Sequence, residues 1–149
     1  MPGTAEVTIA VEDRLGVQEY LTVMEGSGLD GRRPYADHDR VGVVLAHSAP
    51  IVTARTDDGT LVGVARSITD SGFMTYLCDL AVVEAFQGQG LARAMIETTR
   101  DVCGKTLLIV SAAPEVDAFY DHLGLRRHHS TWYDLPEDLD GFPLPPSAT

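Results

Sequence analysis

The segment DLAVVEAFQGQGLARAMIETT, residues 79–99, changes character twice along its length. It begins as an apolar run, passes through Gly88 and Gly90, and continues with apolar residues at helical spacing. This order predicts a strand that ends near Val83, a short glycine-rich turn, and a helix from about Leu91 to Cys103. At such a junction several unpaired backbone N–H groups converge on the helix N-terminus, where an anion such as a phosphate is favoured.

The two glycines have two interpretations. Without Cβ atoms they let the backbone approach a ligand closely, but they also occur in tight turns that bind nothing. Two familiar phosphate loops do not match. A P-loop requires Lys and then Ser or Thr after its last glycine, where this chain has Leu91 and Ala92, and a dinucleotide fingerprint requires Gly or Ala where Arg93 stands.

Upstream of this segment the sequence predicts a strand, two helices and an antiparallel meander of three strands. VTIAV (7–11) alternates like a strand, and residues 13–25 place apolar residues on one helical face. Asp37 or Asp39 would cap a second helix. The pair Asp58-Gly59 is a hairpin signal between two apolar runs, and the turn SGF (71–73) leads into the third strand of the meander.

Downstream, TLLIVSA (106–112) is an apolar run without alternation, which is typical of a buried strand parallel to its predecessor. Pro114 can open a further helix, and STWYDLP (130–136) predicts a last strand before an acidic, proline-rich tail at 136–149. The chain contains no internal repeat. We therefore expect a single domain over residues 1–149.

Composition narrows the function classes. The 149 residues are 44% hydrophobic and 22% charged, as in one globular domain, and 22 acidic against 11 basic residues give a net charge of -11. That charge disfavours nucleic acid and anionic membranes as partners. The apolar runs are too short for a membrane span and the N-terminus does not resemble a signal peptide, so we expect a cytoplasmic protein. The isolated Cys78 and Cys103, and histidines without shared metal spacing, predict no metal site.

Three motifs together carry a family resemblance. Gln87-Gly88-Gln89-Gly90-Leu91-Ala92 matches the (Gln/Arg)-x-x-Gly-x-(Gly/Ala) signature of the GNAT N-acetyltransferases. The run Leu80-Ala81-Val82 precedes it, and a Tyr-x-x-x-Gly-Phe-like element, Tyr120 to Leu125, follows. The chain therefore resembles that family, most closely over residues 51–125. The resemblance implies an α/β (α+β) fold with a mixed central sheet of about six to seven strands, about four helices, and a splayed parallel pair of strands at the centre.

The resemblance also implies the ligands. It implies that the loop from Gln87 to Ala92 binds the pyrophosphate of coenzyme A through backbone N–H groups. It further implies that Leu80, Ala81 and Val82 offer backbone groups to the pantetheine arm, which would lie like an added strand. Acetyl-CoA would be the cosubstrate, and its acetyl group would pass by direct attack to a primary amine of a small molecule or peptide.

Catalysis of that transfer has three requirements. An alkylammonium ion with a pKa of about 10.4 has to lose a proton, and Asp79 is the candidate base, with Glu84 as an alternative that is more typical of a surface residue. A backbone N–H near Leu80 to Val82 would stabilise the tetrahedral oxyanion. The resemblance implies that Tyr120 protonates the departing thiolate, although Tyr120 also fits a core aromatic residue beside Phe119.

The acceptor is not identified by the sequence. Arg33 and Tyr76 are the candidate substrate-binding residues, and Arg32, Tyr35 and Trp132 also fall in segments that border the amine pocket of this fold. Many family members carry an Asn where this chain has Ala113, which leaves open a non-catalytic acyl-CoA-binding module of the same fold. A nucleotide-binding domain is a further alternative. The resemblance is compatible with a homodimer, which the sequence does not decide.

Overall fold

The computed structural model describes residues 5–29, 34–112, 116–134 and 136. Within these residues the chain forms five strands, four α-helices and one 3-10 turn. In chain order the elements are β1 (Val7–Glu12), α1 (Val17–Ser27), α2 (His38–Ala46), β2 (Ile51–Thr56), β3 (Leu61–Thr69), β4 (Met74–Val82), the 3-10 turn (Glu84–Phe86), α3 (Leu91–Cys103), β5 (Leu107–Val110) and α4 (Asp117–His122).

The strands form one mixed sheet in the order β1-β2-β3-β4-β5. The first four strands pair antiparallel, as the Asp58-Gly59 hairpin and the meander predict, and β5 pairs parallel with β4. The helix α3 makes the crossover between these two strands, which is the connection that a parallel pair requires. The predicted change from an antiparallel to a mixed sheet after α3 is therefore confirmed.

Helices cover both faces of the sheet. On one face, α1 and α2 bury Tyr20, Met24, Val41 and Leu45 against Ile51, Val64 and Ala81 of the strands. On the other face, α3 buries Met95 and Ile96 against Val52, Ala65 and Leu77. Full burial of each large apolar side chain stabilises the fold by about 1.5 to 3 kcal/mol. We call these the α1 face and the α3 face.

Two predicted features of the sheet are corrected. The described residues form five strands, whereas six to seven are expected, and Ser130–Asp134 adopt no strand. The side chain of Trp132 in this segment is 85% exposed. Thr, Trp and Tyr have high β propensity, but a strand forms only where a neighbouring edge pairs with it. As a result the parallel pair β4–β5 lies at the edge of the described sheet, not at its centre.

The helices agree more closely with expectation. Asp37 caps α2, because its Oδ1 accepts a hydrogen bond of 3.0 Å from the backbone N–H of Arg40. Helix α3 has the predicted bounds and ends at Gly104. In the ranges given above, no helix is both long and apolar enough to cross a membrane. The tail from residue 137 onward, together with Arg32, Arg33 and Ala113, lies outside the described residues.

Candidate active site

The pairing of β4 differs between its two halves. On one side β4 pairs with β3 along its whole length, but on the other side only Met74–Leu77 pair with β5. The change coincides with a β-bulge, since Arg66 pairs with Asp79 but Ser67 pairs with Leu77, which makes Cys78 the extra residue on β4. Within the described residues, the pairing of β4 with β5 ends at Leu77 and Val110, just before this bulge.

The bulge also changes which backbone groups point toward β5. Upstream of it, the N–H of Leu107 donates to the carbonyl of Phe73 at 2.8 Å, and downstream of it the N–H of Val83 donates to Val62 on β3 at 2.9 Å. Successive residues of a strand direct their N–H and C=O groups to opposite edges. This alternation directs the backbone groups of Leu80 and Val82 to the side on which β5 lies. We call this stretch, Leu80 to Val82, the open edge.

The same alternation separates the three residues predicted to hold the pantetheine arm. It brings Leu80 and Val82 to the open edge, but it directs the backbone of Ala81 toward Val64 on β3. The carbonyl of Val82 already accepts a hydrogen bond of 2.8 Å from the side-chain amide of Gln87. Gln87 therefore ties the loop that follows to the end of β4.

The glycine loop leads from β4 into α3. Gly88 and Gly90 have φ of 78° and 81°, in the left-handed region that favours glycine, and a Cβ on either would meet no atom within 4 Å. The backbone conformation, rather than close packing inside the chain, therefore accounts for both glycines.

The N-terminus of α3 presents unpaired donors. Its capping residue is Gly90, which has no side chain, and its first helical hydrogen bond runs from the N–H of Ala94 to the carbonyl of Gly90 at 3.1 Å. The N–H groups of Leu91, Ala92 and Arg93 consequently have no acceptor inside the helix. Together with the positive end of the helix dipole, they form an environment that suits an anion.

Tyr120 lies in α4 on the α3 face. Its ring is half-buried, meets the ring of Phe119 edge-on with centroids 5.2 Å apart, and packs against the same core cluster as Leu80. The fold thus brings Tyr120 to the face of the sheet that carries the loop and α3. This placement suits both a proton donor at the open edge and a core aromatic residue.

Asp79 lies on the opposite face, under α1. Its Oδ2 accepts hydrogen bonds of 2.6 Å from the hydroxyl of Tyr20 and 2.6 Å from Nε of Arg66. Arg66 also donates from Nη1 to the hydroxyl of Ser48 at 3.0 Å. All four residues are buried, so Asp79 is part of a polar network inside the α1 face.

The electrostatics of this network keep both donors protonated. Burial, followed by the negative charge of Asp79, raises the pKa of Tyr20 well above its ordinary value. Burial lowers the pKa of Arg66, but the charge and the hydrogen bond of Asp79 outweigh it and the net direction is upward. Tyr20 and Arg66 therefore act as lasting hydrogen-bond donors to the carboxylate.

Sequence reasoning missed Tyr20 and Arg66 as members of the site. One signal was available for Arg66, because it is a single charge inside the apolar strand LVGVARSI, and a buried charge requires a partner. Tyr20 gave no such signal, since a tyrosine on the apolar face of a helix is usually part of the core. The base role of Asp79 stays a prediction.

The remaining predicted residues are spread around the site. Tyr76 is 38% exposed and lies on the α1 face between Ile68 and Ile109, the same face as Asp79. Tyr35 meets the ring of Tyr20 edge-on at 6.1 Å. Glu84 and Trp132 are exposed. Among the residues that the structure describes, no three His, Cys, Asp or Glu side chains come together as a metal site.

Comparison with known proteins assigns the chain to a family. A family model described as an acetyltransferase (GNAT) domain matches residues 36–134. The uncharacterized N-acetyltransferase ycf52 of Porphyra purpurea is 34% identical over 92 residues, which cover 57% of this chain and 52% of that protein. The counterpart from Pyropia yezoensis is 30% identical over 92 residues. The chain thus spans about half the length of the curated relatives that it matches.

Solved structures show the same fold. The ribosomal-protein-alanine N-acetyltransferase of Brucella melitensis biovar Abortus 2308 matches with a TM-score of 0.67 and 20% identity, over 87% of this chain and 99% of that chain. A GNAT family N-acetyltransferase of Escherichia coli, solved in complex with CoA, matches with a TM-score of 0.63 and 20% identity, over 83% of this chain and 71% of that chain. At this level of identity the likeness shows the fold alone.

Proposed function

Because the chain belongs to the GNAT acetyltransferase family, we propose that it transfers the acetyl group of acetyl-CoA to a primary amine of a small molecule or peptide. The observation that carries this proposal is the continuity of the open edge, the glycine loop and the N-terminus of α3. These three features follow one another in the chain from Leu80 to Arg93, and the N-terminus of α3 adds three N–H groups without an acceptor inside the helix. The CoA complex of the similar Escherichia coli protein supports the choice of cosubstrate.

In this proposal the backbone holds the cofactor. The N–H groups of Gly88 to Ala92 bind the pyrophosphate, whereas the N–H of Gln87 already donates to the carbonyl of Glu84 at 3.2 Å. The open edge binds the pantetheine arm as an added strand. Gly88 and Gln89 belong to this cradle, whereas the side chain of Gln87 fixes its position. Use of neutral backbone donors explains how a chain with a net charge of -11 can hold an anionic cofactor.

The proposed reaction uses both faces of the sheet. The amine attacks the thioester carbonyl from the α1 face, a C–N bond forms, and the C–S bond breaks as the thiolate leaves toward the α3 face. The N–H of Leu80 stabilises the oxyanion, and Tyr120 gives its proton to the thiolate. Asp79, on the face from which the amine approaches, receives the proton that the amine loses.

The roles of acceptor-side residues follow the same geometry. We propose that Tyr76, which shares a face with Asp79, contacts the acceptor, and that Arg33 binds a substrate carboxylate. Arg33 lies outside the described residues, so its role rests on the sequence alone. The single domain over residues 1–149, the cytoplasmic location and the expected absence of a metal and of a nucleic-acid partner stay predictions.

The first test is a calorimetric titration of the purified protein with acetyl-CoA, with NADH and ATP as controls at identical salt. We expect micromolar binding of acetyl-CoA and no binding of NADH or ATP. Absence of heat with acetyl-CoA would refute the proposal, and preference for NADH or ATP would favour a nucleotide-binding domain.

A second candidate is an acyl-CoA-binding module without turnover. Ala113, in place of an Asn that many family members carry, favours it. The two functions separate in a panel of primary amines with acetyl-CoA, followed by release of free thiol. Binding of acetyl-CoA without thiol release above the rate of an amine-free control would support the module.

A further inference from the structure

We propose that Tyr20 and Arg66 are positioning residues for the cofactor: by holding Asp79 from two sides, they fix the bulge in β4 and thereby aim the backbone of the open edge. The inference rests on the proposed function, because the open edge matters only if a cofactor binds there. It assigns a role in cofactor affinity to two side chains that lie on the opposite face of the sheet from the loop.

Asp79 lies directly beside the bulge in β4. Cys78 is the extra residue of the bulge, and Asp79 is the next residue, paired with Arg66 on β3. Arg66 is in turn the last residue of β3 before the register shifts. The ion pair therefore joins the two residues that flank the irregularity, and the peptide that follows Asp79 carries the N–H of Leu80.

The network around Asp79 joins three elements of the fold. Tyr20 belongs to α1, Arg66 to β3 and Asp79 to β4, and both hydrogen bonds to Oδ2 are 2.6 Å long. The exposed fractions are 1% for Tyr20, 6% for Arg66 and 9% for Asp79. Because three elements meet at one oxygen, the Asp79 side chain cannot rotate without leaving buried polar groups unpaired.

The alternating direction of the backbone groups along β4 determines which of them reach the open edge. A shift of one residue in register reverses the direction of every backbone group downstream. If the bulge were lost, Leu80 would pair with Val64, and Ala81 would face the open edge instead of Leu80 and Val82. A fixed Asp79 excludes that shift, so the network preserves the set of donors that a pantetheine arm would meet.

The test compares Tyr20→Phe with Thr53→Val. Thr53 is fully buried and its hydroxyl donates to the carboxylate of Glu12, so each variant removes one buried hydroxyl from a carboxylate. Thr53 lies in β2, away from the open edge. For each variant we would measure the thermal midpoint, the Kd of acetyl-CoA and the KM of both substrates.

We expect Tyr20→Phe to raise the Kd and KM of acetyl-CoA about tenfold, as loss of a buried hydrogen bond to a charged group would do if it acted through the cofactor edge. The KM of the amine should stay within about twofold of wild type, since in this role Tyr20 does not touch the acceptor. The kcat should also fall, because Tyr20 donates to Asp79, the proposed base. Thr53→Val should lower the thermal midpoint similarly and leave the Kd unchanged. An unchanged Kd in Tyr20→Phe, with a thermal midpoint lowered as in Thr53→Val, would overturn the inference.

Two further measurements keep the test decisive. If Tyr20→Phe does not fold, Arg66→Lys retains the charge but loses the planar fork of donors, and it should also raise the Kd of acetyl-CoA.

If the wild-type chain does not bind acetyl-CoA, the proposed function fails by itself. Amide hydrogen exchange then tests the network alone: in Tyr20→Phe the amides of Ala81 and Val83 should exchange faster relative to those of β2, and unchanged exchange would refute it.

Discussion

The proposed role of Tyr120 as the proton donor can be tested by removing a single atom. Tyr120→Phe keeps the ring and removes the hydroxyl that would protonate the thiolate. We expect kcat to fall about 100-fold or more, with the Kd of acetyl-CoA within about twofold of wild type. The measurement is thiol release with the best amine from the acceptor panel.

Tyr133→Phe is the matched control, since Tyr133 is 56% exposed and has no proposed role. It should behave as wild type. If Tyr120→Phe retains the wild-type kcat, Tyr120 is a core aromatic residue and the thiolate takes its proton from elsewhere.

Gly90 allows the loop to be tested separately from stability. Gly90→Ala would place a Cβ on a residue with φ of 81°, at a cost of about 1 to 2 kcal/mol. We expect the thermal midpoint to fall by a few degrees and the affinity for acetyl-CoA to fall with it, because strain at this position turns the first N–H groups of α3 away from the pyrophosphate.

Gly59→Ala is the control for strain alone. Gly59 has φ of 85° in the hairpin between β2 and β3, and a Cβ there would also meet no atom within 4 Å. It should lower the thermal midpoint similarly and leave acetyl-CoA binding intact. Equal losses of affinity in both variants would mean that the loop has no special part in binding.

Individual residues of the candidate site differ in how well the sequence predicts their surroundings. The glycine loop was predictable because its residues are neighbours in the chain, and the conformation of each glycine is a local property. The partner of Asp79 was not, because Tyr20 lies 59 positions away in the sequence. Local periodicity places Tyr20 on the inner face of a helix but contains no information on which strand residue lies opposite it.

At the scale of elements, Arg55 connects β1, β2 and α1. Its guanidinium donates to Glu12 at 2.8 Å and to Glu19 at 2.6 Å. The hydrogen bond from Arg55 lowers the pKa of Glu12, and this outweighs the opposing effect of burial. We expect Arg55→Met to reduce the free energy of unfolding by about 1 to 3 kcal/mol at pH 7.

The sign of the pH dependence follows from the lowered pKa of Glu12. The stabilisation is complete above the ordinary glutamate pKa of 4.5 and is lost as the pH falls through the lower folded-state value. Urea unfolding at pH 7 and pH 3 should therefore show wild type and Arg55→Met converging at pH 3. Arg127→Met is the control, because Arg127 is 52% exposed and its pairs with Asp117 and Asp121 should contribute little at either pH. A difference that persists unchanged at pH 3 would contradict this account.

Elements were predictable to different degrees. The hairpin at Gly59 and the helix α3 follow from local signals, and both are confirmed. The strand expected at residues 130–136 is not present in its described part, because a strand depends on a partner that the local sequence does not specify. A splay between β4 and β5 was expected from the resemblance, and their pairing ends at Leu77 within the described residues, beside a bulge at Cys78 that has no sequence signature.

At the scale of the whole molecule, net charge should govern the rate of cofactor encounter. A chain of charge -11 repels an anionic cofactor over a distance set by the ionic strength, with a Debye length of about 30 Å at 0.01 M and about 8 Å at 0.15 M salt. We expect the association rate constant of acetyl-CoA, measured by stopped flow, to rise with sodium chloride over this range. The dissociation rate constant should change little. A fall in the association rate with salt would show instead that a local positive field steers the cofactor.

The end of the β4–β5 pairing at Leu77 also bears on how the protein would behave without acetyl-CoA, its proposed cosubstrate. An unpaired strand edge is a template for strands of other chains, and Met74, Tyr76 and Leu107, in the half of the sheet where β4 still pairs with β5, add partly exposed apolar surface. In a purified sample, ligand-free protein should therefore aggregate at concentrations at which ligand-bound protein remains clear. If acetyl-CoA binds as proposed, its supply would then stabilise the folded chain by mass action and protect copies of it from one another independently of turnover.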